Sequence, residues 1–404
     1  MMREASILTV NGGSSSIKFA LYRADETLKR TLHGKIERIG LPDARLVFED
    51  VANGERTDRI IAANDYRAAT DLLVEWCDAR IRDVAAVGHR IVHGMQHAEP
   101  ERVTPQLLDE LHRIVAYDPD HLPYELGLVH AFRRRWPELP QTVCFDTAFH
   151  RTMPRVARML PIPRRYDKEG LQRYGFHGLS YAYLIEELQR IAGADAAGGR
   201  VIIAHLGNGA SVAALHGGRS IDTTMGFTPA GGIPMGERPG DLDPGVAWWL
   251  IRAGHLSPSQ FNDLINHHCG LLGVSQTSAD MRDLLAREAD DVRAAEAVDL
   301  FCYQAKKAIG ALAAALGGVD TLVFSGGIGE NAPQVRERIC ADLTFLGIAI
   351  DREQNARNGD IISPAGERVL VRVVHTDEEL MIARAVCRVL GLTTEYEHEH
   401  SRTD

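Results

Sequence analysis

A chain of 404 residues, 45% of them hydrophobic, is long enough for roughly two or three domains, each with a buried core. Its net charge of -10 excludes the unspecific electrostatic grip on phosphate backbones that nucleic-acid binders need, and leaves room for small anions bound at local clusters of cations. The six cysteines (Cys77, Cys144, Cys269, Cys302, Cys340 and Cys387) form no CxxC pair and read as reduced core thiols.

In chain order, the apolar run that follows Met1-Met2-Arg3-Glu4 and ends at Asn11 is too short and wrongly flanked for a signal peptide, and no later stretch is long enough to span a bilayer. The expectation is a cytoplasmic protein with no membrane partner. Ile7–Val10 reads as a strand that breaks at Asn11-Gly-Gly-Ser-Ser-Ser16 and resumes over Ile17–Tyr22, a hairpin with a polar tip. Helical patterns follow around Arg67–Trp76, Gln106–Val115 and Glu125–Phe132, and then a strand at Thr142–Phe145. The opening theme returns in mid-chain: Val201–Leu206 and Val212–Leu215 flank the turn Gly207-Asn-Gly-Ala-Ser211, which hints at an old duplication. A Gly/Pro-rich loop over Phe227–Gly245 precedes several helices, the longest alanine-rich at about Ala294–Leu316. Thr321–Phe324 is a strand feeding the glycine turn Ser325–Asn331 and a helix. Val369–Val374 is the last strand, and Leu380–Leu390 the last helix. Strands alternating with helices predict an α/β protein.

Both hairpin tips expose backbone N–H groups and hydroxyls, which can cradle phosphate, and Lys18 adds a positive charge. Neither tip has the spacing of a P-loop. A serine-rich turn accounts for the first tip equally well, but two such hairpins in one chain favour a nucleotide clamp. Ser325-Gly-Gly-Ile-Gly-Glu330 follows a strand and opens a helix, a place where backbone can approach a nucleotide. Arg90 in Gly88-His-Arg-Ile-Val-His-Gly94 and Arg238 in Met235-Gly-Glu-Arg-Pro-Gly-Asp241 stand out by context, although most arginines are surface residues. Transfer of a phosphoryl group to a carboxylate needs no strong base, since the nucleophile is already ionised, but it brings two anions together. Two guanidinium groups suit that task. His121, His177 and His205 sit in turn-like stretches, and His177 in Arg173-Tyr-Gly-Phe-His-Gly178 could donate to a transferring phosphoryl. Asp146 and Glu378 are the candidate oxygen donors for magnesium, with helix N-terminus preference as the plainer account of Glu378. His267-His268-Cys269 and the pair His398 and His400 read as structural rather than metal-binding.

The ordered motifs VNGGSSSIK, GHRIVHG, FDTAFH, RYGFHG, AHLGNGASV, MGFTP, MGERPGDLDP, GLLGVS, SADMRDL, FSGGIGEN and HTDEEL resemble the acetate kinase family over nearly the whole chain. The resemblance implies two duplicated actin-like, ribonuclease-H-like βββαβαβα domains with a nucleotide cleft between them. The boundaries expected are 1–149 plus about 380–404 for one domain and 150–379 for the other. It also implies reversible Mg2+- or Mn2+-dependent transfer from ATP to acetate by a direct in-line route, and a homodimer. Propionate or another short acid is the near alternative, and a sugar kinase or actin-like ATPase the distant one. By resemblance Asn11, Arg90, Asp146, His177 and Arg238 are catalytic, with Asn11 and Glu378 at the metal. Ser14, Ser16, Lys18, His205, Leu206, Gly207, Asn208 and Gly209 fall at the phosphates. Asp280, Met281, Arg282, Gly327, Ile328, Gly329, Glu330 and Asn331 fall at the adenosine, and Val92, Phe176 and Pro229 in the acyl pocket. This chain departs from the family with Asp120 in place of a leucine, Leu179 and Tyr181 in place of threonine and histidine, Glu237 in place of threonine and Asp377 in place of asparagine.

Overall fold

The computed structural model describes residues 5–13, 16–51, 53–81 and 83–392. It divides into two compact units, one of residues 1–148 with 377–404 and one of residues 149–376.

The first unit is built on an eight-stranded sheet. Its strands are β1 (Ser6–Gly12), β2 (Ser16–Arg23), β3 (Arg30–Glu37), β4 (Arg45–Asp50), β5 (Glu55–Ile60), β6 (Val84–Ile91), β7 (Glu101–Arg102) and β8 (Gln141–Phe145), in the order 5-4-3-2-1-6-8-7. One face packs Leu8, Val10, Ile17, Phe19 and Val87 against the helices Tyr66–Arg80 and Leu122–Arg135. The helix Glu378–Leu390 lies on the other face, so close that a β-carbon on Gly88 would overlap Ile382 and Val386. Period-two alternation drives this layering, since successive side chains of a strand point to opposite faces.

The second unit holds a five-stranded sheet of β9 (Arg200–Leu206), β10 (Ala210–His216), β11 (Arg219–Thr223), β12 (Thr321–Ser325) and β13 (Leu370–Val373), in the order 11-10-9-12-13. The helix Gly178–Ala192 packs Tyr181, Leu184 and Leu188 on Val201, Ile203 and Val323, while the 25-residue helix Val292–Leu316 packs on β9, β10 and β11. Both sheets share one plan. Three antiparallel strands lead, and the first of them is followed outward by two parallel strands: β3-β2-β1-β6-β8 and β11-β10-β9-β12-β13. The repeated hairpins of the sequence are the β1–β2 and β9–β10 pairs of that plan.

Three local expectations change. The first hairpin tip is narrower than its polarity predicts, because Asn11 and Gly12 continue β1 and pair with Lys18 and Ile17. Backbone pairing does not require apolar side chains, so a polar run need not end a strand. The glycine turn after β12 is itself helical over Gly326–Asn331, bent there by Gly326 at φ +76° and held by Glu330, whose carboxylate accepts the Gly326 N–H at 2.9 Å. Strands β3 to β5 have no apolar run to announce them, and cross-strand ion pairs such as Arg45–Asp58 and Arg56–Glu49 line the outer two.

Candidate functional site

In each unit the parallel strands end at one edge, and the residues singled out by the sequence gather there. In the first unit β1, β6 and β8 deliver Asn11, Arg90 and Asp146 to that edge. Arg90 donates from Nε and Nη2 to Asp146 Oδ2 at 3.0 and 2.6 Å, and from Nη1 to the Gly12 carbonyl at 2.9 Å. With Asp146 buried and Glu125 Oε1 3.7 Å from Nη1, the guanidinium is immobilised on two carboxylates. Asn11 Nδ2 donates to Glu378 Oε2 at 2.8 Å and to Glu379 Oε1 at 3.2 Å, tying β1 to the first turn of the helix Glu378–Leu390. Asp377 caps that helix by accepting the Leu380 N–H at 3.0 Å. Burial pushes the Glu379 carboxyl upward and Lys18 pulls it back.

Two adjacent carboxylates, gathered by the Asn11 amide, offer oxygen donors that fit the hard cations Mg2+ and Mn2+. Among the described residues, no group of three or more His, Cys, Asp or Glu is arranged to hold a metal by itself. His268 instead meets Asp263, and the Cys269 N–H bonds the Glu237 carbonyl.

In the second unit His205 is the penultimate residue of β9, which leads into the turn closed by Gly207 N–H to Gly209 O at 3.0 Å. A β-carbon on Gly209 would lie 3.1 Å from both Arg238 Nη2 and His177 Nε2, so guanidinium and imidazole converge on that bare backbone. Arg238 Nη1 is held by the Pro229 carbonyl at 2.9 Å. Its loop is clamped from behind, as Met235, Gly236 and Glu237 carbonyls accept from Leu271, Leu272 and Cys269. The Gly236 N–H in turn bonds the Asn208 carbonyl at 3.0 Å, which docks the arginine loop on the turn. His177 stands at φ 60° at the head of the helix Gly178–Ala192, with its ring 4.4 Å from that of His205.

Pairing of β12 with β9 sets Ser325 beside His205, and a β-carbon on Gly207 would lie 3.9 Å from the Gly327 nitrogen. Motifs some 120 residues apart in sequence thus form one surface. Asp280 caps the helix Met281–Arg287; Met281 is buried, whereas Arg282 folds back on Asp280 and is exposed. Glu330 braces the turn internally, its Oε2 meeting His375 Nδ1 at 2.7 Å, and Asn331 Nδ2 bonds the Gly327 carbonyl. Val92 is buried in the first unit, and its N–H donates to Glu125 Oε2 at 2.8 Å. Phe176 and Pro229 are buried in the second. Ser14, and the tail with His398 and His400, lie outside the described residues.

Three supporting side chains escaped sequence reasoning. Glu125 sits beneath Arg90, and burial pushes its carboxyl up to about 8 against the pull of that arginine. Its signal was present: it occupies the apolar stripe Leu122, Glu125, Leu126, Val129, where a charge needs a partner. Ser211 and Ser180 bond His177 Nδ1 and His205 Nδ1, each at 2.8 Å, and no local pattern marks a serine as the support of a distant imidazole.

The sequence profile described as the Acetokinase family matches residues 6–384. The chain belongs to the acetokinase family. It is 42% identical over 399 residues to the acetate kinase of Methylocella silvestris, covering 95% of this chain and 98% of the relative. It is 40% identical over 391 residues to the propionate kinase of Citrobacter rodentium, covering 95% and 96%. The crystal structure of Porphyromonas gingivalis acetate kinase superposes with a TM-score of 0.83 at 36% identity, covering 96% of this chain and all of that one. The shared plan of the two sheets is therefore the duplicated actin-like fold of this family.

Proposed function

We propose that the chain is a kinase of carboxylates, moving the γ-phosphoryl of ATP directly and reversibly to acetate to give acetyl phosphate and ADP. The observation that carries this reading is the convergence of Arg238 and His177 on the bare backbone of Gly209. A phosphoryl in flight carries charge on its equatorial oxygens, and rigid donors aimed at those oxygens accelerate transfer. Arg238 and His177 donate to them, while Asn208 and Gly209 of the same unit hold the phosphates of the nucleotide. Arg90, oriented by Asp146, receives the acceptor carboxylate, and the buried Val92 of the same unit lines the place of its methyl group. Asn11 and Glu378 would hold the magnesium, which when bound neutralises phosphate charge. No residue need act as a strong base, because the acceptor is already ionised at neutral pH.

Propionate is the second reading. It is favoured by a propionate kinase as similar to this chain, at 40% identity, as an acetate kinase at 42%. A single methylene is worth only about 1–3 kcal/mol in such a pocket. A cytoplasmic homodimer completes the proposal. Among the described residues no helix is long and apolar enough to cross a membrane, and the helix Pro244–Arg252 leaves Trp248 and Trp249 66% and 61% exposed. Such an apolar face suits a second copy.

The test is a trap for the product. Protein, Mg·ATP and hydroxylamine are incubated with acetate, propionate, butyrate, glycerol or no acceptor. Acyl hydroxamate with short carboxylates alone is the expected result, and its rates rank the acids. ADP release without hydroxamate would transfer the assignment to a sugar kinase if glycerol is required, or to an ATPase if nothing is.

A further inference from the structure

Tyr181 lies one turn into the helix that His177 begins, fully buried, with its ring stacked on Phe149 and edge-on to His150. Its hydroxyl is 2.6 Å from Ser211 Oγ, and the same Oγ is 2.8 Å from His177 Nδ1. The chain Tyr181–Ser211–His177 has a direction that can be worked out by counting protons. Burial raises the pKa of the phenol, so it stays an O–H donor. Among the described residues Ser211 Oγ is its hydrogen-bond partner, and a buried donor left unmade costs about 1–3 kcal/mol. Tyr181 therefore donates to Ser211. The serine hydroxyl has a single hydrogen, which then turns to His177 Nδ1. That nitrogen must present its lone pair, and the ring proton resides on Nε2, the atom that shares the space over Gly209 with Arg238 Nη2.

We propose that Tyr181 is a positioning residue that, through Ser211, holds His177 in the Nε2–H tautomer, keeping a donor aimed at the phosphoryl oxygens. The catalytic consequence rests on the reading of His177 as a phosphoryl contact. The opposite tautomer would set a lone pair against anionic oxygens. Tyrosine is well suited to this duty. A histidine at this position could donate or accept according to its own tautomer, whereas a buried phenol that must satisfy its hydrogen here donates.

The experiment labels the imidazole nitrogens of the full-length protein with 15N and reads the tautomer from long-range proton–nitrogen spectra at neutral pH. The His177 signals are identified by their loss in His177→Gln. Wild type is expected to show the Nε2–H pattern. In Tyr181→Phe, which keeps the aromatic ring, Ser211 loses the donor that polarises its own O–H toward Nδ1, and the pattern should move toward the other tautomer. Turnover should then fall about tenfold while KM for ATP and for the carboxylate stays within about twofold, a loss smaller than that of deleting a donor outright. Ser211→Ala should release the tautomer in the same way. An Nδ1–H pattern in wild type, or a tautomer unmoved in a folded Tyr181→Phe, overturns the proposal; the wild-type spectrum alone decides the first point. Full turnover in His177→Gln, with the Nε2–H pattern present in wild type, would instead remove the phosphoryl contact assigned to His177, and the catalytic consequence with it, while the tautomer assignment stands.

Discussion

At the scale of single residues the site depends on side chains that are held before any ligand arrives. Arg90 has three donors committed to Asp146 and the Gly12 carbonyl, so its position is set by the sheet edge rather than by solvent. Arg90→Ala is predicted to lower kcat by about two to three orders of magnitude, the range seen when a transition-state donor is removed. Circular dichroism and thermal melting should stay near wild type, and near-normal turnover would remove Arg90 from the mechanism. Gly209→Ala makes a sharper test. The new methyl group would stand 3.1 Å from Arg238 Nη2 and from His177 Nε2 at a position that needs no unusual backbone conformation. Turnover should drop roughly a hundredfold, as for other displacements of about an ångström, without loss of stability. A fully active Gly209→Ala protein would mean that nothing reacts at that spot. Asn11, Arg90, Asp146, His177 and Arg238 could be picked out from the sequence because each lies in a short motif of Gly, Ser or charged residues. Glu125 and Ser211 could not be assigned, since their partners lie 35 residues away at Arg90 and 34 away at His177.

Between residue and fold stand the elements that carry the site, and here turns matter more than helices. The loop bearing Arg238 is gripped by backbone hydrogen bonds from the segment Cys269–Leu272, and Gly270 makes that approach possible. Gly270 has φ +60°, and a β-carbon there would overlap the Met235 carbonyl. Gly270→Ala should therefore cost about 1–3 kcal/mol in urea unfolding, through strain and overlap together, and should lower kcat because Arg238 moves with its loop. Unchanged stability would show that the loop yields freely. The elements themselves were unevenly legible. The hairpins, the alanine-rich helix and the strand into Asp146 follow from hydrophobic periodicity and turn residues. Strands β4 and β5 do not, because antiparallel strands open to water on one face need no apolar run.

The whole molecule is two copies of one plan, and each copy buries a neutral histidine. His89 in the first unit bonds Gln141, and His150 in the second bonds Ser220 and the Phe176 carbonyl. Burial pulls both down to about 4 from an ordinary 6.5. Between those values the unfolded chain takes up a proton that the folded one refuses, so stability is complete above about pH 6.5 and declines as pH falls toward 4. By pH 5 the loss is roughly 2 kcal/mol for each histidine. The urea midpoint should fall between pH 7 and pH 5, and less steeply in His150→Gln; equal slopes would contradict the account. Glu125, whose carboxyl is raised, works in the opposite sense but is common to both proteins compared. Self-association belongs to this scale as well. Trp248→Glu with Trp249→Glu is predicted to convert a dimer into a monomer by light scattering, and an unchanged mass would move the interface elsewhere. By itself the sequence determined the α/β class, the paired hairpins, the family and most of the residues proposed to touch substrate, because strand period, turn chemistry and phosphate binding are written in neighbouring residues. Tertiary structure alone decided which carboxylates hold Arg90, which backbone grips Arg238 and which hydroxyls orient His177. Those contacts are made between residues distant in the chain, and only the pairing of strands and the packing of helices bring them within hydrogen-bonding reach.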